Sequence, residues 1–226
     1  MFRKIFAIWK SDSLLNQALE RTEKMFKLAA ENFDISTTEL IENLDTKRAN
    51  IYMTDQKINE CEKDVRRKVL EHLTINPKQD LSSSLILISV VKDLERIGDY
   101  EKNIVELAYH YPKKLEKNGY TNELIEISEK MSVILKDSLR VFMEADVKKA
   151  KNYYLFHRDV TQKTDSMTEK LLEENRLNIR EAVVYALFAR YLKRIAAHLA
   201  NILTSVINPF HLVGYGFENF KKEEVE

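Results

Sequence analysis

The sequence predicts an all-α protein built as two tandem, pseudo-symmetric three-helix bundles. Three observations carry that reading. Apolar residues recur at spacings of three and four along most of the chain, Gly (4) and Pro (3) are scarce, and a stretch centred near residue 98 returns 98 positions later. Spacings of three and four mark one face of a 3.6-residue helix, and a shortage of helix breakers favours long helices over turn-rich sheets. Self-similarity at one fixed offset indicates duplication of a structural unit.

The elements follow in order. The first periodic segment covers residues 14–44, with Leu15, Leu19, Phe26, Ala30 and Phe33 on its stripe and Ser11 or Asp12 placed to cap it. The second carries Ile51, Ile58, Cys61, Val65 and Val69 and is expected to end before Asn76-Pro77, because the residue preceding a proline resists the helical conformation. The third runs over about 81–111 and stops at Pro112. Asn118-Gly119 is the strongest turn signal and sets the boundary between a first repeat at 1–112 and a second at 121–210. Three further helical patterns occupy about 121–145, 146–175 and 178–208, the last ended by Pro209, and residues 211–226 are expected to form a loosely ordered tail.

Charge and cysteine usage narrow the function classes. With 36 basic and 36 acidic residues the formal net charge is zero, which argues against a nucleic-acid-binding domain. The single cysteine, Cys61, falls in an apolar stripe with Ile58 and Val65, so it reads as a small buried hydrophobe in a reducing compartment. The apolar start at residues 1–10, with Trp9, is too short for a signal-peptide core and reads as a lead-in to the first helix that touches a membrane surface at most peripherally. Residues 195–217 lack Asp, Glu, Lys and Arg, but Asn201, Thr204, Ser205, Asn208 and Pro209 interrupt them, so no transmembrane span is expected.

The repeat also holds the chemistry. The run DLERIGDYEKNI at 93–104 lies over YLKRIAAHLANI at 191–202, and Leu, Arg, Ile, Asn and Ile coincide. In the first copy Glu95 and Asp99 stand four apart, on one helical face and away from the stripe of Leu87, Val90, Leu94, Ile97 and Ile104. Asp55 and Asn59 form a second pair at the same spacing on the preceding helix. If those helices are antiparallel neighbours, with Gly98 permitting close approach, the two pairs converge. Two readings stand side by side: hard oxygen ligands for a divalent metal, or a solvated face in which Glu95 and Asp99 pair with Lys92, Arg96 or Lys102.

The 93–104 run, together with Asp55, Asn59, Glu62 and the segment at 65–70, resembles the signature of the PhoU family of phosphate-transport regulators. The resemblance covers nearly the whole chain and implies a tandem of three-helix units. It also implies that paired E/D-x-x-x-D motifs on the bundle surface hold iron or another divalent metal. On that pattern Asp55, Asn59, Glu95 and Asp99 are the metal-site residues of the first half, with an amide where an acid is usual. In the second half the pattern decays: Lys193 and Ala197 stand at the positions of Glu95 and Asp99, Thr161 at that of Asp55, and only Asp165 remains, opposite Asn59. Asn103, Asp165, His198 and Asn201 are left as outer-shell candidates. The family further implies a non-catalytic, cytoplasmic adaptor at the inner membrane face. Its implied partners are the ATPase of a phosphate ABC transporter, a sensor kinase and a second copy of the chain. The competing readings are a purely structural helical module without metal and a ferritin-like oxidase. The oxidase wants Glu-x-x-His on two helices, and none of His72, His110, His157, His198 or His211 has a Glu three residues before it.

Overall fold

The computed structural model describes residues 13–44, 48–78 and 80–216, and side chains throughout these except at 48–50. Six α-helices account for nearly all of it: α1 (Leu14–Glu42), α2 (Arg48–Ile75), α3 (Leu81–His110), α4 (Gly119–Glu144), α5 (Val147–Glu173) and α6 (Ile179–Ile207), followed by a 3-10 turn at Phe210–Leu212. No strand occurs among the described residues. The helix ends have local causes. Ser13 caps α1 by accepting from the Asn16 amide, while Ser11 and Asp12 lie outside the described residues. Asp146 and Asn178 cap α5 and α6 in the same way, through the amides of Lys149 and Arg180. α2 stops at Ile75, ahead of Pro77.

Asn118-Gly119 behaves differently from the expectation. Asn118 is extended and its side chain accepts from the Thr121 amide, so the pair starts α4 as a cap rather than forming a reverse turn. The connection before it is held down: the Leu115 amide donates to the Ile41 carbonyl, and Leu115 itself is buried. The chain beyond α6 is likewise pinned where a loose tail was expected. Asn208 donates through Nδ2 to the carbonyls of Leu212 and Tyr215, and the Gly214 amide donates to Thr204 Oγ1. Residues 217–226 and the Trp9 segment lie outside the described part.

The helices form two three-helix bundles, α1–α3 and α4–α6, that share one interior. α1, α3, α6 and α4 close a ring in which each packs on the next, while α2 lies outside against α1 and α3 and α5 lies outside against α6. One apolar cluster runs through both bundles, from Leu15, Phe26 and Phe33 through Leu87 and Ile97 to Phe142, Phe188 and Leu203. The peripheral place of α5 is written in its sequence. It buries only Ala150, Val160, Thr164, Met167 and Leu171, a narrow stripe that serves mainly α6 with a lighter contact to α4. Full burial of a Leu- or Phe-sized side chain stabilises by about 1.5–3 kcal/mol, so the ring, which holds most of the large buried side chains, dominates the stability.

Antiparallel packing of α3 and α6 makes their contact pseudo-symmetric. Asp93 meets His198, and Tyr100 meets Tyr191. Under the repeat, Asp93 corresponds to Tyr191 and Tyr100 to His198, so the two contacts are copies of each other. Tyr100 also stacks on His198, its own counterpart, with ring centroids 5.8 Å apart and planes at 27°. A residue touching its own copy lies on the pseudo-twofold axis.

Candidate functional site

The seam between α2 and α3 collects the residues singled out in the first repeat. Gly98 sets its closeness: a Cβ there would stand 3.2 Å from Ile58 Cδ1. Along this seam α2 presents Asp55, Asn59 and Glu62, and α3 presents Glu95, Asp99 and Lys102, one turn apart in each case. One member of each pair, Asp55 and Asp99, is joined across the seam by a cation. Lys102 Nζ lies 3.3 Å from Asp55 Oδ2 and 3.2 Å from Asp99 Oδ1, bridging the two helices. Asn59 donates to the same Asp55 oxygen at 3.4 Å. Lys92 binds Glu95 at 2.7 Å, Arg96 binds Asp99 at 3.1 Å, and Arg66 binds Glu62 at 2.9 Å. Burial works against the Lys102 ammonium, yet Asp99 and Asp55 outweigh it and hold its proton above the ordinary lysine range.

A hard divalent cation needs about six oxygen ligands. Among the described residues no three His, Cys, Asp or Glu side chains gather where they could share one ion. Asp55 and Asp99 already share an ammonium across the two helices. As the seam stands, Asp55, Glu95 and Asp99 are ion-paired to lysine and arginine, with Asp55 buried, and a donor set occupied in this way does not offer a metal the free oxygens it needs.

Behind the seam sits a group that pattern reading missed. Glu101 is fully buried, and neither carboxyl oxygen has a hydrogen-bond partner among the described residues. Burial pushes its carboxyl well above the usual range, and the charges of Asp34 and Asp55 push it further. Its counterpart in the second repeat is Leu199 and that of Lys102 is Ala200. An acid at a position that is apolar in the sister repeat was the available signal.

The α5–α6 seam uses the same positions with other charges. Lys193 reaches Asp165 at 2.5 Å, an ion pair across the seam. Thr161, opposite Asp55 in the repeat, contacts His157 Nε2 at 3.4 Å. Burial, then the nearby Lys193 charge, lowers the His157 imidazole below its ordinary value. Arg190 and Arg194, the counterparts of Lys92 and Arg96, are exposed and have no acid partner among the described residues.

His198 and Asn201 belong to neither seam. Both donate to Asp93 Oδ1, His198 through Nδ1 at 2.8 Å and Asn201 through Nδ2 at 3.1 Å, tying α6 to α3 across the bundle interface. These side chains leave α6 toward α3, not toward α5. Asn103 matches Asn201 in sequence but not in use. It is half-buried and makes no side-chain hydrogen bond to a described residue. The pseudo-twofold places it by Tyr191, which offers a ring where Asp93 offers a carboxylate.

One further concavity was invisible to sequence reading. A groove of 510 Å³ runs between α1 and α4, lined by Asp34, Thr37, Glu42, Ser128, Glu129 and Lys136. Asp34 crosses it, accepting from Ser132 and pairing with Lys136, both at 2.5 Å. These residues come from opposite halves and no motif joins them.

A duplicated three-helix scaffold with one polar seam per copy defines a class of all-α repeat proteins whose distinguishing residues lie on surface seams and not in a central cofactor cavity. The chain belongs to the PhoU family: the PhoU domain profile matches residues 17–108 and again 124–206, one match per bundle. It is similar to the phosphate-specific transport system accessory protein PhoU homolog 1 of Thermotoga maritima, at 25% identity over 190 residues, 81% of this chain and 82% of that one. The corresponding PhoU homolog of Clostridium acetobutylicum is 23% identical over 218 residues, 92% of this chain and 94% of the other. In fold it matches the crystal structure of PhoU from Pseudomonas aeruginosa with a TM-score of 0.77 at 20% identity, covering 88% of this chain and 97% of that one.

Proposed function

We propose that this chain is a non-catalytic adaptor that adjusts phosphate uptake and phosphate-starvation signalling by binding the ATPase of a phosphate transporter and a sensor kinase. The observation that carries the reading is the double PhoU match, one per bundle, supported by relatives named as transport accessory proteins that align over more than four-fifths of both chains. The described helices include none long and apolar enough to cross a membrane, which suits an adaptor working at the cytoplasmic face of membrane-bound partners. Within this proposal the second seam supplies a contact surface. Arg190, Lys193 and Arg194 crowd one face of α6 with Asp165 as their acid on α5, a charge pattern complementary to an acidic partner surface. Metal has no part in the proposal.

Deletion of the gene is expected to raise a phosphate-starvation reporter in phosphate-replete medium and to alter labelled phosphate uptake, with both restored by the wild-type chain. An Arg190→Glu/Arg194→Glu variant that folds normally is expected to complement poorly and to retain less transporter ATPase in a pull-down. Unchanged reporter and uptake on deletion would overturn the regulatory reading. Full complementation by the double variant would remove only the contact surface.

A further inference from the structure

We propose that Lys102 is the resident cation of the α2–α3 seam: this chain has replaced a divalent metal with a covalently attached ammonium, and its first repeat works metal-free. The inference rests on the geometry of the seam and is independent of the transport reading.

Four observations converge. The ammonium lies within 3.3 Å of both Asp55 and Asp99, one carboxylate from each helix. It arrives from α3 one turn beyond Asp99, so its stem runs along the seam and its charge ends between the two acids. The remaining acids are also matched, Glu95 by Lys92 and Glu62 by Arg66, so no carboxylate in the seam waits for a counter-ion. Finally, the sister repeat has Ala200 at the position of Lys102, where the acids it would neutralise are absent as well, Thr161 and Ala197 standing at the positions of Asp55 and Asp99. Lysine occurs where the acids are and is missing where they are not.

Physics explains why the ammonium excludes a metal. A tethered cation competes at an effective concentration set by its side chain, about millimolar or above. A metal would have to displace it and then tolerate it nearby, together with Lys92 and Arg96. Removing the ammonium reverses the situation, leaving Asp55 and Asp99 facing each other with the Asn59 amide beside them. Two close carboxylates attract a cation.

The test is a Mn²⁺ titration of the chelator-stripped full chain, following free Mn²⁺ by electron paramagnetic resonance, for wild type, Lys102→Met, Lys102→Gln and Lys102→Met/Asp55→Asn. Wild type is expected to retain no stoichiometric Mn²⁺ or Fe²⁺ through gel filtration. Lys102→Met, which keeps the apolar stem, is expected to bind one Mn²⁺ about tenfold or more tightly than wild type, to melt lower without metal and to recover with it. The added Asp55→Asn change is expected to abolish the gain. Tight stoichiometric metal in the wild-type chain overturns the proposal, and that measurement decides even if a variant fails to fold. A folded Lys102→Met or Lys102→Gln chain that binds Mn²⁺ no better than wild type overturns it equally.

Discussion

The α2–α3 and α5–α6 seams occupy matched places in one pseudo-symmetric molecule and differ in almost every polar residue. The first sets Asp55, Glu62, Glu95 and Asp99 against Arg66, Lys92, Arg96 and Lys102 and is neutral. The second pairs Lys193 with Asp165 and leaves Arg190 and Arg194 without an acid partner among the described residues. Meanwhile the apolar positions are held: Leu94 and Leu192, Ile97 and Ile195, and Ile104 and Ile202 are all buried. Packing constrains the inner face of a helix to a methylene, whereas the exposed charges of the second seam can be exchanged at a fraction of a kcal/mol each. Duplication thus preserved the scaffold and freed the seams to diverge.

That comparison can be strained at several points. The largest effect belongs to Glu101, whose sister position is Leu199. Its folded carboxyl is raised above the ordinary 4.5. Below pH 4.5 both folded and unfolded chains hold the proton and the group is harmless. As pH rises from there toward the folded value, the unfolded chain releases its proton first, and stability falls by about 1.4 kcal/mol per pH unit. Glu101→Leu is therefore expected to be more stable than wild type at pH 8 and to remove most of this slope, measured by urea denaturation between pH 4.5 and 8. An unchanged slope would mean that Glu101 is not the neutral group of the first bundle.

Gly98 and Ala196 form the next contrast. A leucine at 98 is forced into Ile58 and is expected to destabilise by about 3 kcal/mol. Gly98→Ala, which reproduces the sister residue, needs only the Ile58 δ-methyl to give way and gains helix propensity, so its net change is expected to stay within about 1 kcal/mol. Chemical denaturation of both variants measures how much of the α2–α3 spacing Gly98 sets.

The pseudo-twofold can be probed where it is broken. Asp93→Ala strands His198 and Asn201 and is expected to cost about 1–3 kcal/mol. Asn103→Ala, at the matching site without a carboxylate, is expected to change stability by less than about 0.5 kcal/mol. Equal losses would show that the two sites are used alike.

The smallest effect is the Lys193–Asp165 pair, both of whose side chains are substantially exposed. Lys193→Ala is expected to lower stability by less than about 1 kcal/mol, and the difference is expected to shrink in high salt. A larger or salt-insensitive loss would mean that this seam is not the solvated copy described.

Much of the fold is legible in the residues themselves. Helix ends at Pro77, Pro112 and Pro209 are fixed by local backbone chemistry, and the stripes of Leu15, Val65, Ile97 and Ile195 fix the inward faces. Cys61 is a buried thiol raised first by desolvation, as its stripe implies. The candidate site is half legible. Spacing places Asp55 and Asn59 on one helix face and Glu95 and Asp99 on another, and of these Asp55 and Asp99 are joined across the seam, through Lys102. Spacing cannot show that Lys102 lies between Asp55 and Asp99, because the reach of a lysine depends on the distance between two helices. Nor can it separate Asn103 from Asn201, whose neighbours come from a different repeat.

The sequence alone determined the helices, their count, their inward faces and their duplication, since those follow from periodicity, caps and breakers acting within a few residues. Only the tertiary structure decided which charges meet: the ring of α1, α3, α6 and α4, the Asp93 clasp and the groove at Asp34. Electrostatic partnership depends on distances between segments tens of residues apart, and those distances exist only once the core has closed.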